Sequence, residues 1–183
     1  MSGVRVRELQ RISQRELDGL CAVLMDCVAG GASVNFMWPL TREKAEKFWR
    51  GVDEGLARGD RALIVAEDEA EHIVGTAQVV WAPQENQPHR ADVAKMLVHR
   101  RARRLGIGGL LLAAAERAAK AAGKTLLVLD TASEDAERLY ERGGWQRVGA
   151  IPRYALMPDG PFCRTVVFYK DLDNSPRATE SRT

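Results

Sequence analysis

The 183-residue sequence predicts an α/β fold, a single domain built on a mixed β-sheet. Three observations carry this. Short apolar segments with strand character alternate with segments whose apolar residues recur at helical spacing, in the order β-α-α-β-β-β-α-β-α-β-β. A strand–helix–strand unit over residues 91–129 is by default a right-handed crossover, which makes its two strands parallel. No repeat, linker or change of composition divides the chain, and its length suffices for one buried core.

Val4-Arg5-Val6-Arg7-Glu8-Leu9 alternates apolar and charged residues, the pattern of a half-exposed strand. From Gln14 to about Val28, Leu17, Leu20, Cys21, Leu24, Met25 and Val28 mark one helix face, and Ser13 with Glu16 forms its capping box. Gly30-Gly31-Ala32-Ser33 ends that helix. An unusually apolar loop, Val34 to Pro39, follows. Thr41 starts a second helix running to about Arg58, with Ala45, Phe48, Trp49, Val52 and Leu56 on one side. Ala62 to Ala66 is continuously apolar, as in a strand buried on both faces, and pairs as a hairpin with Ile73 to Trp81. A polar loop, Pro83 to His89, leads to the strand Ala91 to Val98. Ile107 to Ala122 is a long Ala/Leu-rich helix, Thr125 to Leu129 a strand, and Glu134 to Arg142 a short helix stopped by Gly143-Gly144. Trp145 to Ile151 and Thr165 to Tyr169 close the order as antiparallel strands. The domain is read as 1–173, with 174–183 a polar, disordered tail.

Composition narrows the function classes. Hydrophobic residues make up 45% and charged residues 28%, ordinary values for a globular protein. A net charge of +2, from 27 basic and 25 acidic side chains, argues against a nucleic-acid partner. Cys21, Cys27 and Cys163 are too irregularly placed for a disulfide framework or a zinc site. Cys21 and Cys27, six apart on one helix, are expected to face different ways as inert thiols. His72, His89 and His99 show no metal-ligand spacing, so no metal is expected. The start lacks a basic head with an apolar run, and nowhere do about 18 apolar residues occur together. No membrane association and a cytoplasmic location are expected, for a monomer or a homodimer.

The segment Arg103-Arg104-Leu105-Gly106-Ile107-Gly108 joins strand to helix. Glycine permits positive φ and close approach of a ligand to the backbone. The first N–H groups of a helix lack internal partners and lie at the positive end of its dipole, which suits a pyrophosphate. Two arginines add charge beside it. A plain strand-to-helix turn with a solvated basic rim would look similar. A dinucleotide fingerprint fails because Leu111 stands where the third glycine belongs, and no Gly-Lys-Ser/Thr follows for a P-loop. The run His99-Arg100-Arg101-Ala102-Arg103-Arg104 could be a nucleic-acid patch, but it lacks interleaved aromatics.

On these residues the chain resembles the GNAT superfamily of N-acetyltransferases. Val98 to Gly109, with Arg-x-x-Gly-x-Gly at Arg103 to Gly108, is similar to its central motif. Ala136-Glu137-Arg138-Leu139-Tyr140, ahead of Gly144-Trp145, is similar to its later one. The element order also matches that fold from end to end. Gly30 to Val34, Arg90 to Val93, Leu129-Asp130-Thr131 and Met157 to Gly160 resemble the branch that confers tabtoxin resistance.

The resemblance implies acetyl-CoA as co-substrate and a parallel strand pair, 91–98 and 125–130, that splays at its carboxyl end. Met96, Leu97 and Val98 would then pair with the pantetheine arm, and Arg103 through Gly109 would hold the pyrophosphate. Ser133 stands where many members carry a cofactor-contacting Asn. The match at Leu139-Tyr140 makes Tyr140 the candidate general acid for the departing thiolate, although a tyrosine packed beside Leu139 on the helix face would also fit.

A carboxylate at the carboxyl edge of a parallel pair often points into the ligand crevice, which makes Asp92 and Asp130 candidate bases or substrate ligands. Both could instead be structural, Asp130 as a helix cap and Asp92 as a partner of Arg90 or Lys95. Ser33, Phe36 and Tyr154, with Met37 and Trp38, would flank the acceptor from the loops 31–38 and 153–160, or else plug the helix junction. The expected activity is acetyl transfer to a small amine: an amino-acid-like toxin, an antibiotic or a metabolite. Peptide or protein acetylation is the alternative, and a non-catalytic acetyl-CoA sensor is another.

Overall fold

The computed structural model describes residues 3–173; the tail 174–183 lies outside the described residues. The elements are β1 (Arg5–Leu9), α1 (Gln14–Ala29), α2 (Arg42–Arg58), β2 (Arg61–Glu67), β3 (Ile73–Trp81), β4 (Arg90–Val98), a 3₁₀ turn (Arg100–Ala102), α3 (Ile107–Ala121), β5 (Leu126–Thr131), α4 (Glu134–Arg142), β6 (Gln146–Leu156) and β7 (Phe162–Asp171). The order is the expected one, with the 3₁₀ turn added. Seven strands form one sheet, β1-β2-β3-β4-β5-β7-β6, in which β4 and β5 are parallel and every other pair is antiparallel.

Local chemistry sets the helix ends. Ser13 Oγ accepts from Glu16 N while Ser13 N donates to the Glu16 carboxylate, completing the capping box of α1. Thr41 caps α2, and Gly59, at φ 71°, terminates it in the left-handed conformation that costs glycine nothing. The alternation in β2 explains its unbroken apolar run. Ala62, Ile64 and Ala66 pack beneath α3, whereas Leu63 and Val65 pack beneath α1 and α2. The sheet is therefore sandwiched between two helical layers.

Cys21 and Cys27 face different ways as expected, Cys21 toward Arg42, Glu46 and Arg50 of α2 and Cys27 toward β4, where its Sγ donates to the Val98 carbonyl at 3.5 Å; both are buried because α1 is covered over a wide arc. Burial pushes the Cys21 thiol up to about 11 and raises Cys27 as well, so both are inert at neutral pH. β6 and β7 are longer than read from sequence. β6 runs through Pro152 because it is the sheet's outermost strand, where a missing N–H removes no ladder bond. The polar 83–89 loop contains two turn hydrogen bonds, Gln87 N to Gln84 O and Arg90 N to Gln87 O.

One ion pair supports the β1–β2 edge. Glu67, 3% exposed, accepts from Arg7 Nε at 2.9 Å and Arg7 Nη2 at 2.7 Å. The Arg7 fork holds the Glu67 carboxyl below its ordinary 4.5. That stabilisation is present above the unfolded carboxyl's pKa and is lost as pH falls through the lower folded value. Arg7→Met is expected to cost about 3 kcal/mol at neutral pH, the low end for an orphaned buried charge, because Arg15 lies 3.5 Å from the same carboxylate. Denaturant unfolding should show the deficit at pH 7 and its shrinkage below about pH 4.5. A deficit of equal size at both pH values would mean that packing, not charge, is what Arg7 supplies.

Candidate active site

The site begins where the parallel pair parts. β4 and β5 are registered only over Arg90–Asp92 against Leu126–Val128. Beyond that point β4 presents an unpaired edge, and a cleft of about 1200 Å³ opens between the strands. Within β4, Thr76 pairs with Leu97 but Gln78 with Ala94, so Lys95 and Met96 together face Ala77 as a β-bulge. Lys95 takes φ 50°, a left-handed conformation uncommon for a non-glycine residue. The bulge shifts the register by one residue before pairing resumes at Leu97 and Val98.

At one end of the cleft α3 begins at Gly106, φ 78°, with no side-chain cap. The N–H groups of Ile107 and Gly108 find no acceptor among the described residues. A Cβ on Gly106 would meet no protein atom within 4 Å, so glycine is required there for its conformation. Gly108 serves differently: a Cβ would lie 3.0 Å from Leu139, so this glycine lets α4 approach α3. Arg103 turns back and donates to the Val98 carbonyl at 3.4 Å. Arg100 and Arg101 are occupied elsewhere, paired with Asp26 and Asp68 at 2.9 Å each. The basic run is thus divided between tertiary ion pairs and the cleft rather than assembled as one patch.

Tyr140 lines the cleft from α4, 4% exposed, with its ring 5.8 Å from those of Trp145 and Phe168. Burial, and after it the nearby Asp130 charge, push its phenol well above the ordinary value. The hydroxyl has no protein hydrogen-bond partner among the described residues. Ser133 caps α4, accepting from Ala136 N at 3.4 Å, and so leaves Asp130 free of that duty. Asp130 lies on the cleft wall and accepts from Thr165 Oγ1 at 2.7 Å.

Asp92 does not share that wall. It is half-buried and paired with Arg90 Nη1 at 3.1 Å. Burial raises its pKa and the Asp130 charge adds to this, while Arg90 opposes. Ser33 Oγ donates to the Leu156 carbonyl at 3.0 Å, and Trp38 N to the Pro158 carbonyl at 3.0 Å. These bonds fasten the α1–α2 loop across to the β6–β7 hairpin. Phe36 is half-buried against Phe48, ring centroids 5.4 Å apart, and still borders the cleft with Met37 and Tyr154.

The structure therefore brings Met96, Leu97 and Val98, the start of α3 through Gly109, Ser133, Asp130 and Tyr140 to one cleft, with Ser33, Phe36 and Tyr154 at its other end. Asp92, Trp38 and the exposed Leu105 fall outside its lining. Two residues were missed as parts of the site. Thr165 orients Asp130, and Lys95 lines the acceptor end with Nζ 5.5 Å from the Phe48 ring centroid. A lysine flanked by Ala94 and Met96 was the only sequence signal for the second; the bulge that aims it is a pairing event.

Residues 59–147 match the family model of the acetyltransferase (GNAT) domain. An uncharacterized N-acetyltransferase from the hisH-hisA intergenic region of Azospirillum brasilense is 32% identical over 132 residues, 71% of this chain and 76% of that protein. The chain belongs to the GNAT acetyltransferase family. Solved structures agree on the fold. A GNAT superfamily phosphinothricin acetyltransferase from Sinorhizobium meliloti, in complex with AcCoA, has a TM-score of 0.79 at 16% identity, covering 99% of this chain and 95% of its own. The ribosomal-protein-alanine N-acetyltransferase of Brucella melitensis has a TM-score of 0.75 at 22% identity, covering 92% and 99%.

This GNAT protein is an acetyltransferase, and two solved structures that share its fold, at 16% and 17% identity, hold acetyl-CoA. Its own geometry fits that co-substrate: an unpaired strand edge for an extended amide-bearing arm, unbonded helix N–H groups for phosphates, and a cleft long enough for both. Among the described residues no cluster could hold a metal, and no helix is long and apolar enough to cross a membrane.

Proposed function

We propose that this GNAT protein moves the acetyl group of acetyl-CoA directly to the amine of a small molecule, an amino-acid-like toxin, antibiotic or metabolite, with residues 1–173 as the transferase domain. The observation that supports the reading is the pair of hydrogen bonds by which Ser33 and Trp38 tie the loop after α1 to the β6–β7 hairpin, narrowing the acceptor end of the cleft in favour of a small acceptor. Three free thiols support a reducing, cytoplasmic setting.

Acetyl-CoA supplies an activated thioester when bound. The chain's residues bind, orient and move protons around it. The N–H groups of Ile107 and Gly108, with Arg103 and Arg104, hold the pyrophosphate, and the free edge of β4 from Met96 to Val98 fixes the arm. Ser133 keeps a hydroxyl proton to donate while its oxygen caps α4. Asp130, fixed by Thr165, receives the amine and takes its proton; Asp92, paired to Arg90 behind the wall, adds negative potential. Tyr140 donates its hydroxyl proton toward the departing sulfur. With its pKa raised it stays protonated throughout the working range, so stabilising the thiolate by a hydrogen bond is the larger part of that role.

Asp130→Asn is expected to lower kcat/KM about 100-fold, and Asp92→Asn less than about tenfold. The pH–rate profile separates the two. If Asp92→Asn abolished the acidic limb and Asp130→Asn left it in place, their roles would be exchanged. Purified protein with acetyl-CoA, assayed by thiol release against small amines and against peptides, tests the whole reading. Turnover confined to peptides would favour protein acetylation. Tight acetyl-CoA binding without any turnover would favour a sensor.

A further inference from the structure

Lys95 is the residue the mechanism leaves unused. Its ammonium is mostly removed from solvent, lies over the Phe48 ring and lines the acceptor end of the cleft. Among the described residues it has no hydrogen bond or ion pair. Arg90 and Arg103, by contrast, are bonded to Asp92 and to the Val98 carbonyl. A buried charge without a counter-charge is unfavourable, and the stacked ring offsets only part of that. The backbone is also held at φ 50° to place this side chain on a bulge, an arrangement that persists where surrounding structure over-determines it and function uses it. Asp130, which also lines the cleft, is the one charge that raises the Lys95 pKa against burial, yet the two are not bonded. Among the charges that line the cleft, Asp130 and Lys95 are therefore separate and both available to a ligand.

Building on the small-acceptor reading, we propose that Lys95 is the specificity residue of the acceptor site, binding a carboxylate or similarly sized oxyanion that the acceptor carries beside its amine. Asp130 then meets the ammonium and Lys95 the acid group, and the bound anion supplies the counter-charge that the fold leaves out. A simple amine, lacking that group, would leave Lys95 buried and unpaired, so discrimination against it follows from the protein's own desolvation.

The test uses the full chain, as wild type, Lys95→Met and Lys95→Arg, with matched probes: L-methionine against 3-(methylsulfanyl)propylamine, L-phenylalanine against phenethylamine, and L-lysine against cadaverine. Any acceptor found in the amine screen is paired with its counterpart lacking the acid group in the same way. The quantity read is the ratio of kcat/KM for the acid-bearing probe to that for its partner. Wild type should favour the acid-bearing members. Lys95→Met should lower the ratio by about tenfold to 100-fold, the range for a charge-assisted hydrogen bond, and Lys95→Arg should restore much of it. Equal use of both members by wild type, turnover of acid-free amines alone, or an equal loss for both members in Lys95→Met would overturn the role of Lys95 and leave the small-acceptor reading standing. No thiol release with any small amine would overturn the small-acceptor reading itself, and this inference with it.

Discussion

Replacing Tyr140 by Phe is expected to lower kcat about 100-fold, the lower bound for removing a positioned proton donor, while acetyl-CoA affinity measured by calorimetry stays within about twofold. The substitution isolates the hydroxyl. Phenylalanine keeps the ring between Trp145 and Phe168, and no hydrogen bond to the described residues is lost because the hydroxyl makes none with them. A loss in kcat without a loss in binding is the signature of an interaction made in the transition state. The raised phenol pKa adds a second expectation. Its sign is that the protonated donor form persists above the ordinary value of 10.0, so Tyr140 should produce no basic limb in the profile below that pH. Unchanged kcat in the Phe variant would remove Tyr140 from the chemistry. A basic limb near neutrality that disappears in the variant would show that the bound state makes the phenol far more acidic than its surroundings in the free protein do.

Gly106→Val is expected to weaken acetyl-CoA binding by about 100-fold or more. The cause is conformational: a β-branched residue at φ 78° is strained by roughly 1–3 kcal/mol, and relief of that strain would rotate the N–H groups of the first α3 turn away from the phosphates. Because a Cβ at this position meets no protein atom, the fold itself should survive. Gly106→Asn separates the two contributions, since asparagine tolerates positive φ better than most residues. It should retain substantially more affinity than the Val variant. Equal loss in both variants would mean that any side chain obstructs the ligand, and crowding rather than conformation would be the requirement. Normal affinity in the Val variant would show that the α3 terminus does not hold the pyrophosphate.

Much of the architecture was legible because the signals are local. The Ser13–Glu16 capping box, the helical spacing in α1 and α2 and the glycine turn before α3 each involve residues a few positions apart. The parallel β4–β5 pair followed from crossover geometry, which is a rule of connection rather than of contact. The error is of the opposite kind: the true length of β6 depends on its place at the sheet edge.

The sequence by itself determined the element order, the family and a helix start able to hold phosphate, because periodicity, caps and glycines act over one or two turns of chain. Only the tertiary structure decided that β4 and β5 part after Asp92, that Asp130 rather than Asp92 lines the cleft, and that Ser33 bonds the loop after α1 to the Leu156 carbonyl. The bulge that carries Lys95, with its ammonium over the Phe48 ring, was settled at the same level. Each of these rests on pairing or burial between residues far apart in sequence. The energy of such contacts depends on what the rest of the chain has already removed from water, and no local pattern records it.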